Sequence, residues 1–289
     1  MISERATEAV RALAERLAAE YQQHARCRGV LHVGSGAEGR CDYFSDLDMS
    51  VYYDELPGEE ELTASRVTLG GSERKWTLGT RADGWFAEAF EIDGIECQVG
   101  HTLISGFEET LDEVLVRHNP DTPLHKALDG LMKGRILFGA ELIEGWQERA
   151  RNYPADLGEA LIRHNMNIFG IWYVYESVKE RDAVVWTTHM LVEGAQKILG
   201  ILAGLNHKYY TTFQMKRMGD FVAALAIKPE RLAERIDRLF DLPRAQAVDE
   251  LEALVGETVA LVERERPGID TSPARRRLGK RQSSWGQPV

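Results

Sequence analysis

The segment LHVGSGAEGRCDYFSDLDMSVYY, at residues 31 to 53, constrains the fold more than any other part of the chain. Apolar runs at residues 30 to 34 and 46 to 53 each predict a β-strand. The glycines that separate the runs are Gly34, Gly36 and Gly39. Because glycine tolerates conformations and close approaches that other residues resist, they predict a turn and a short helix whose backbone can approach a ligand.

Two carboxylates, Asp46 and Asp48, belong to the second apolar run. Successive side chains of a strand alternate between its faces, so both carboxylates point the same way while Leu47 and Met49 face the core. Two parallel carboxylates repel each other unless a cation lies between them. Proteins hold Mg2+ with one or two carboxylates together with substrate phosphates, so this pair predicts an open Mg2+ site.

The composition predicts a soluble globular protein. Its 289 residues, 44% of them hydrophobic, suffice for one large domain or two compact ones. The first 21 residues carry charges throughout, which is untypical of a secretory signal. The longest strongly apolar stretch, residues 198 to 205, is much shorter than the about 20 residues that a membrane-spanning helix needs. We therefore expect a cytoplasmic location and no membrane partner.

Cysteine content and charge disfavour two further classes of protein. Cys27, Cys41 and Cys97 show no CxxC spacing, which argues against a disulfide framework and against a zinc site. The formal net charge of −11 disfavours a nucleic-acid partner, because that binding depends on Lys and Arg side chains that neutralise phosphates. An acidic chain is better suited to small or cationic substrates.

Local patterns place a hairpin and several helices. The segments at residues 85 to 92 and 95 to 102 predict two strands, and Asp93-Gly94 between them is a pair favoured in type I′ turns. A first amphipathic helix is predicted from Ser3 to His24. Further helices are predicted at about residues 105 to 117, 122 to 133, 138 to 151, 184 to 204, 212 to 226, 229 to 241 and 244 to 264.

Capping signals refine the helices of the second half. Asp156 with Glu159 three residues later is similar to an N-terminal capping pair and predicts a helix from there to about Lys179. Pro229 and Pro243 suit the first turns of two later helices, since proline is tolerated there.

The order of the elements indicates an α+β fold with two domains. A small mixed β-sheet with flanking helices is expected at residues 1 to 153. An α-helical bundle is expected at residues 154 to 268, with the substrate cleft between the two domains. The polar, breaker-rich segment at residues 269 to 289 predicts a flexible tail.

The spacing of the opening motif resembles a known signature. Gly34-Ser35, ten further residues and then Asp46-Leu47-Asp48 between apolar residues resemble the motif of the nucleotidyltransferase superfamily, which includes DNA polymerase beta and the antibiotic nucleotidyltransferases. The resemblance implies a nucleotidyltransferase domain in which Gly34, Ser35 and Ser45 contact the triphosphate. It also implies that Asp46 and Asp48 hold Mg2+, in a site for two ions.

Members of this superfamily commonly carry a third carboxylate on a later strand. In the segment IECQV, Glu96 and Gln98 share one strand face, so Glu96 is the candidate for a catalytic residue and metal ligand. Glutamate stands where an aspartate is usual, which leaves its role open between ligand and general base. Asp93 is the competing carboxylate, although its place in the hairpin turn gives it a structural explanation. Glu38 stands where an arginine is usual, and Arg40 lies one residue past the following glycine, Gly39, which leaves the basic phosphate contact open.

Two lysines of the second half are candidates for contact with nucleotide phosphates by the same resemblance. They are Lys208 and Lys216, and the neighbouring Tyr209 would line the pocket. The alternative is that both lysines belong to an exposed basic loop between two helices.

The resemblance implies a Mg-dependent enzyme that transfers a nucleoside monophosphate from a nucleoside triphosphate, in the first instance ATP, to a hydroxyl group and releases pyrophosphate. A small molecule similar to an aminoglycoside or lincosamide antibiotic is the expected acceptor, which would make this an antibiotic-resistance enzyme. Two alternatives stay open: nucleotidylation of a protein hydroxyl, and a non-catalytic nucleotide-binding or antitoxin-like protein. The sequence leaves open the acceptor's identity, the preferred base and the oligomeric state.

Overall fold

The computed structural model of the chain describes residues 2–120 and 122–285. It comprises two compact units. The first contains the chain up to Arg117 together with Ala127–Asn152, and the second contains His118–Lys126 and the chain from Tyr153 onward. The combination of one mixed sheet with many helices confirms the predicted α+β fold class.

The sheet and its flanking helices occupy the first half of the chain. In chain order, its elements are α1 (Glu4–Tyr21), β1 (Cys27–Val33), α2 (Gly34–Glu38), β2 (Leu47–Tyr53), α3 (Glu59–Thr68), β3 (Trp76–Thr80), β4 (Trp85–Ile92), β5 (Ile95–Leu103), α4 (Ile104–Leu115), α5 (Thr122–Lys133), β6 (Arg135–Phe138) and α6 (Ala140–Arg151). A 3-10 turn at Arg81–Asp83 precedes β4. The predicted first helix, both strands around the glycine-rich turn and the β4–β5 hairpin are confirmed.

The six described strands form one mixed sheet in the order β3-β4-β5-β2-β1-β6. The strands β2 and β5 are parallel, and the other neighbouring pairs are antiparallel. The hairpin turn between β4 and β5 has positive φ at both Asp93 and Gly94, as a type I′ turn requires. The elements α3, β3 and β6 were not predicted from the sequence, because short or exposed segments carry too few periodic residues to indicate a helix or a strand.

One face of the sheet forms the core of the first unit. Alternate residues of β2, namely Leu47, Met49 and Val51, are almost fully buried in the same cluster as Val10 and Leu13 of α1. Because the other residues of β2 point to the opposite face, burial of this apolar set fixes which face carries Asp48. The core therefore orients Asp48.

A buried carboxylate ties α3 and the following loop to the sheet. Glu88 of β4 is fully buried, and its Oε2 accepts hydrogen bonds from Arg66 at 2.6 Å and from Arg74 at 2.8 Å. The Nε2 atom of His101 lies 3.4 Å from Oε1 of the same carboxylate. Burial acts to raise the pKa of Glu88, but His101 and the two guanidinium groups outweigh it and hold that pKa below its usual value. The carboxylate is therefore ionised in the folded protein near neutral pH.

The second half of the chain is helical in its described part. Its elements are α7 (Ala155–Asn165), α8 (Ile171–Val178), α9 (Val184–Leu205), a 3-10 helix at Thr212–Arg217, α10 (Met218–Ala223), α11 (Leu232–Arg238), α12 (Arg244–Glu265) and α13 (Ser272–Arg275). Two glycines allow α7 and α9 to cross closely, since a Cβ atom at Gly204 would lie 2.5 Å from the carbonyl oxygen of Gly158. No helix in the described part of the chain is both long and apolar enough to cross a bilayer, and this includes α9, the most apolar long helix.

Three predictions about these helices were wrong. The helix predicted from Asp156 to Lys179 is interrupted after Asn165, and a new helix begins after Gly170, a residue that disfavours helix interiors. Asp156 lies within the first turn of α7, where its charge favours the helix dipole, and Pro154 is the N-cap. Pro243 is likewise an N-cap, and Pro229 lies before the start of α11.

The described part of the predicted flexible tail makes specific contacts. Ile269 is 5% exposed within the helical core, and the Trp172 indole donates a hydrogen bond to the Arg277 carbonyl at 3.0 Å. The Gln282 amide donates to the Tyr173 carbonyl at 2.7 Å. These partners hold the tail against the helices, which the polar composition did not predict. The last four residues of the predicted tail lie outside the described residues.

Candidate functional site

The two predicted aspartates lie at one end of the sheet in the first unit. Asp48 is the second residue of β2, where it pairs with Val33 of β1 on one side and with Gln98 of β5 on the other. Asp46 comes just before the strand. The glycine-rich turn α2 begins immediately after Val33, so the strand pairing brings the start of the turn next to Asp48.

Gly34 is the point of closest approach between the turn and the carboxylates. Its φ of +70° lies in the left-handed region, and a Cβ atom on this residue would lie 2.2 Å from Oδ2 of Asp48. Such a distance is far inside van der Waals contact, so any other residue would force the turn and the carboxylate apart. Glycine is therefore required here for both conformation and space.

Helix α1 holds the turn in place. The Arg11 guanidinium donates hydrogen bonds to the carbonyl oxygens of Gly36 and Ala37, each at 3.0 Å. Gly39 ends the short helix with a φ of +74°. The hydroxyl of Ser35 lies 3.7 Å from the Cys41 thiol, a weak contact that leaves the hydroxyl available to another partner.

Ser45 closes the loop that leads into Asp46. Its hydroxyl accepts a hydrogen bond from the Asp42 amide at 3.0 Å and donates to the Asp42 carboxylate at 3.3 Å. These reciprocal bonds fix the backbone immediately before the first aspartate. They give Ser45 a structural role, and its predicted contact with the nucleotide stays a prediction.

Gln98 links two of the predicted carboxylates. Its side-chain nitrogen donates to Asp46 Oδ2 at 2.9 Å and to Glu96 Oε1 at 3.1 Å. Sequence analysis placed Glu96 and Gln98 on one strand face but assigned no function to Gln98. The missing information was the register of β5 against β2, which sets Gln98 directly beside Asp48.

Asp93, the competing carboxylate, is engaged elsewhere. It is exposed in the β4–β5 turn, and its carboxylate pairs with Arg16 of α1 at 3.0 Å. Glu96, by contrast, shares the Gln98 amide with Asp46. The structure therefore brings together Asp46, Glu96 and Gln98.

The donor set at this site fits a Mg2+ ion held jointly with a ligand. Among the described residues, no three His, Cys, Asp or Glu side chains are grouped as a metal cage on their own. Mg2+ does not require one, because it keeps several waters and is bound through one or two carboxylates and substrate phosphates. Asp46 and Asp48 supply such a pair, and the backbone of Gly34 lies directly against the Asp48 carboxylate.

The two predicted lysines lie in the second unit. Lys208 is exposed after α9, and the ammonium group of Lys216 lies 5.2 Å from the centre of the Phe213 ring. Tyr209 is largely buried, and its ring packs against His125 and Tyr153. Both lysine positions suit the exposed basic segment that was the alternative, and their contact with phosphates stays a prediction.

A buried histidine lies beneath the glycine-rich turn. His32 is fully buried on β1, and neither ring nitrogen has a hydrogen-bond partner. A Cβ atom on Gly36 would lie 2.5 Å from its Nε2 atom, so the ring packs directly under the turn. Burial, with the nearby charges of Arg135 and Arg11, lowers the pKa of His32 to about 4.

This histidine is expected to make the stability of the first unit sensitive to acid. Its pKa is lower in the folded state than the usual 6.5, so the unfolded state binds the proton more readily. The contribution of neutral His32 to the free energy of unfolding is therefore complete above pH 6.5. It falls by about 3 kcal/mol as the pH drops to about 4. Urea unfolding of a His32→Leu variant between pH 7 and pH 4 should show a shallower loss than the wild type.

The matched control is His189→Gln, which changes an exposed histidine. Its pH dependence should follow the wild type. Burial also lowers the pKa of His101, so part of the acid sensitivity should remain in the His32→Leu variant. Identical slopes for wild type and His32→Leu would contradict the assignment of this effect to His32.

The chain is similar to solved structures, but not to a known family model or curated protein. No family model and no curated protein matches this chain. The chain is similar to the crystal structure of a nucleotidyltransferase-like protein from Exiguobacterium sibiricum 255-15, with a TM-score of 0.38 and 12% sequence identity. The match covers 91% of this chain and 77% of that one.

Proposed function

We propose that this protein is a metal-dependent nucleotidyltransferase that moves a nucleoside monophosphate from a nucleoside triphosphate to a hydroxyl group of a small molecule. The observation that carries the proposal is the meeting of the turn and the carboxylates at Gly34, where no room for a Cβ atom is left beside Asp48. A backbone turn that can cradle phosphate and an acidic pair that can hold a cation thus share one point.

The residues of the chain divide this work between them. Asp46 and Asp48 would hold Mg2+, and the amides of Gly34 and Ser35 would face the triphosphate, with ATP as the first candidate. Bound Mg2+ would neutralise charge on the phosphates and stabilise the oxygens that attack and leave. Arg11 keeps the turn rigid, so its amides need no rearrangement when the phosphates arrive.

An open stretch of sheet beside the carboxylates supports a small acceptor. Two residues beyond Asp48 on the same face, four neighbouring strands contribute a row of paired residues that are small or apolar. They are Ser50, Gly100, Ala87 and Leu78. Among the described residues outside its chain neighbours, a Cβ atom on Gly100 would have only the Met49 carbonyl oxygen within 4 Å, at 3.6 Å. Two residues of a strand span about 7 Å, so a ring resting on this row can present a hydroxyl group near Asp48.

Partly exposed aromatic rings flank this stretch on the outer strands. Trp76 is 37% exposed and Trp85 is 42% exposed, and the register places both on the same face as Asp48. Indole rings can stack on the apolar face of a saccharide ring and attract cationic groups. An aminoglycoside-like or lincosamide-like acceptor, with sugar hydroxyls on a compact ring, fits this chemistry.

A transfer screen tests the proposal. The protein is incubated with Mg2+ and each nucleoside triphosphate labelled at the α-phosphate, together with aminoglycosides, lincosamides or a cell lysate. We expect label on a small molecule, release of pyrophosphate, and neither product with an Asp46→Asn/Asp48→Asn variant. Label on a protein from the lysate would favour the alternative acceptor class. Triphosphate binding without any transfer would contradict an enzymatic role.

A further inference from the structure

The Gln98 amide lies between two carboxylates whose oxygens can only accept hydrogen bonds. A glutamine side chain carries two N–H groups, and here one is directed to Asp46 Oδ2 and the other to Glu96 Oε1. The nitrogen end, rather than the oxygen end, must therefore face the carboxylates. With both donors used, the side chain of Gln98 is held from two directions.

Glu96 is engaged at both of its oxygens. Its Oε1 accepts from Gln98, and its Oε2 lies 3.4 Å from the ammonium group of Lys75. Lys75 also pairs with Glu91 at 2.8 Å, on the neighbouring strand. Glu91 and Glu96 are directly opposite each other in the β4–β5 register, so one lysine offsets the repulsion between two facing carboxylates.

The contacts form a continuous chain from the edge of the sheet to the first aspartate. It consists of Glu91, Lys75, Glu96, Gln98 and Asp46. The register places Gln98, which carries no charge, directly beside Asp48. A carboxylate at this position would add a fourth negative charge to those of Asp46, Asp48 and Glu96, and would leave Asp46 without its donor.

We infer that Gln98 is a positioning residue for the cation site, and that Glu96 acts through it. The inference rests on the proposed function. Gln98 holds Oδ2 of Asp46, which leaves Oδ1 of Asp46 for the cation. Glu96 orients the Gln98 amide and neither ligates the cation nor takes the acceptor proton.

This assignment differs from both roles that the sequence left open for Glu96. A general base contributes roughly 100- to 10,000-fold to the rate, and a lost metal ligand lowers cation affinity directly. A carboxylate that only accepts a hydrogen bond from Gln98 can be replaced by an amide, because the carbonyl oxygen of glutamine accepts the same bond. Glu96→Gln is therefore the variant that separates the three roles.

The experiment measures Mn2+ binding in the presence of a non-hydrolysable ATP analogue, by electron paramagnetic resonance, together with transfer rates over a range of Mn2+ concentrations. Gln98→Met keeps the side-chain length and removes both donors. We expect it to bind Mn2+ about 10- to 100-fold more weakly, as is typical when a partner of a metal ligand is lost. Saturating Mn2+ should restore most of its rate, and a loss of fold would not be rescued in this way.

Glu96→Gln, whose carbonyl oxygen can accept the bond from Gln98, should bind Mn2+ within a few-fold of the wild type, and Glu96→Leu, which cannot accept it, should bind Mn2+ more weakly. The matched control is Glu91→Gln, which changes the other carboxylate on Lys75 without contacting Gln98 and should behave like the wild type. Unchanged Mn2+ affinity in Gln98→Met would overturn the inference and leave the proposed function standing. A 100-fold loss of Mn2+ affinity or of transfer rate in Glu96→Gln would show that Glu96 is a metal ligand or the general base. A wild type that binds no Mn2+ with the analogue would overturn both proposals.

Discussion

Replacement of Asp48 by alanine is expected to abolish transfer while leaving the fold intact. One remaining carboxylate cannot fix the geometry of the cation, and loss of several kcal/mol of charge stabilisation corresponds to a rate lower by on the order of 1,000-fold. The measurements are the transfer rate with Mg2+ and thermal unfolding without it.

The chain offers a matched control at the other end of the same strand. Asp54 directly follows β2, and its carboxylate forms a surface ion pair with Arg28 at 2.6 Å. Asp54→Ala should keep the full transfer rate and lose little stability, since exposed ion pairs contribute at most about 1 kcal/mol. Full activity of Asp48→Ala with Mg2+ present would remove Asp48 from the site.

Replacement of Gly34 by alanine is expected to weaken both triphosphate binding and the first unit itself. The new Cβ atom would lie 2.2 Å from Asp48 Oδ2, so the turn must move away from the carboxylate. Calorimetric titration with a non-hydrolysable triphosphate should show a loss much larger than that of Ser35→Ala, which removes one hydrogen bond of about 1 kcal/mol. Gly34→Val should be worse still, because its side chain is branched.

Two further variants separate the strain at Gly34 from the clash. Gly70 has nearly the same φ, +72°, but a Cβ atom there would meet no described atom within 4 Å. Gly70→Ala should therefore lower the free energy of unfolding only by the conformational penalty, roughly 1–2 kcal/mol. When Asp48 is also replaced by alanine, the decrease in the free energy of unfolding that Gly34→Ala causes should fall toward that value. If Gly34→Ala lowered the free energy of unfolding equally with and without the Asp48 side chain, the two residues would not be coupled.

Sequence patterns were most informative where local chemistry decides the structure. The alternation through Leu47, Asp48 and Met49 predicted both a strand and the shared face of the aspartates. The Asp93-Gly94 pair predicted its turn, because a type I′ turn requires positive φ at two adjacent residues. In each case the residues that carry the information are neighbours in the chain, so no distant partner was needed.

The helical half shows how local patterns mislead. Apolar periodicity continues across residues 166 to 170, and it predicted one helix where the structure has two. The tail has a polar composition, yet Gln282 and Arg277 find backbone and indole partners in the helical unit. The helix break follows from Gly170, which disfavours a helix interior, whereas the position of the tail depends on contacts with residues far away in the chain.

The sequence by itself determined the strand–turn–strand unit, the strand face that carries Asp48 and the need for glycine at the turn, because these follow from alternation and from backbone sterics. Only the tertiary structure decided that Gly34 touches Asp48, that Gln98 lies beside it, and that Glu96 reaches the site through an amide. These contacts depend on strand register, and register is set by the burial of a whole apolar face rather than by the residues of the site.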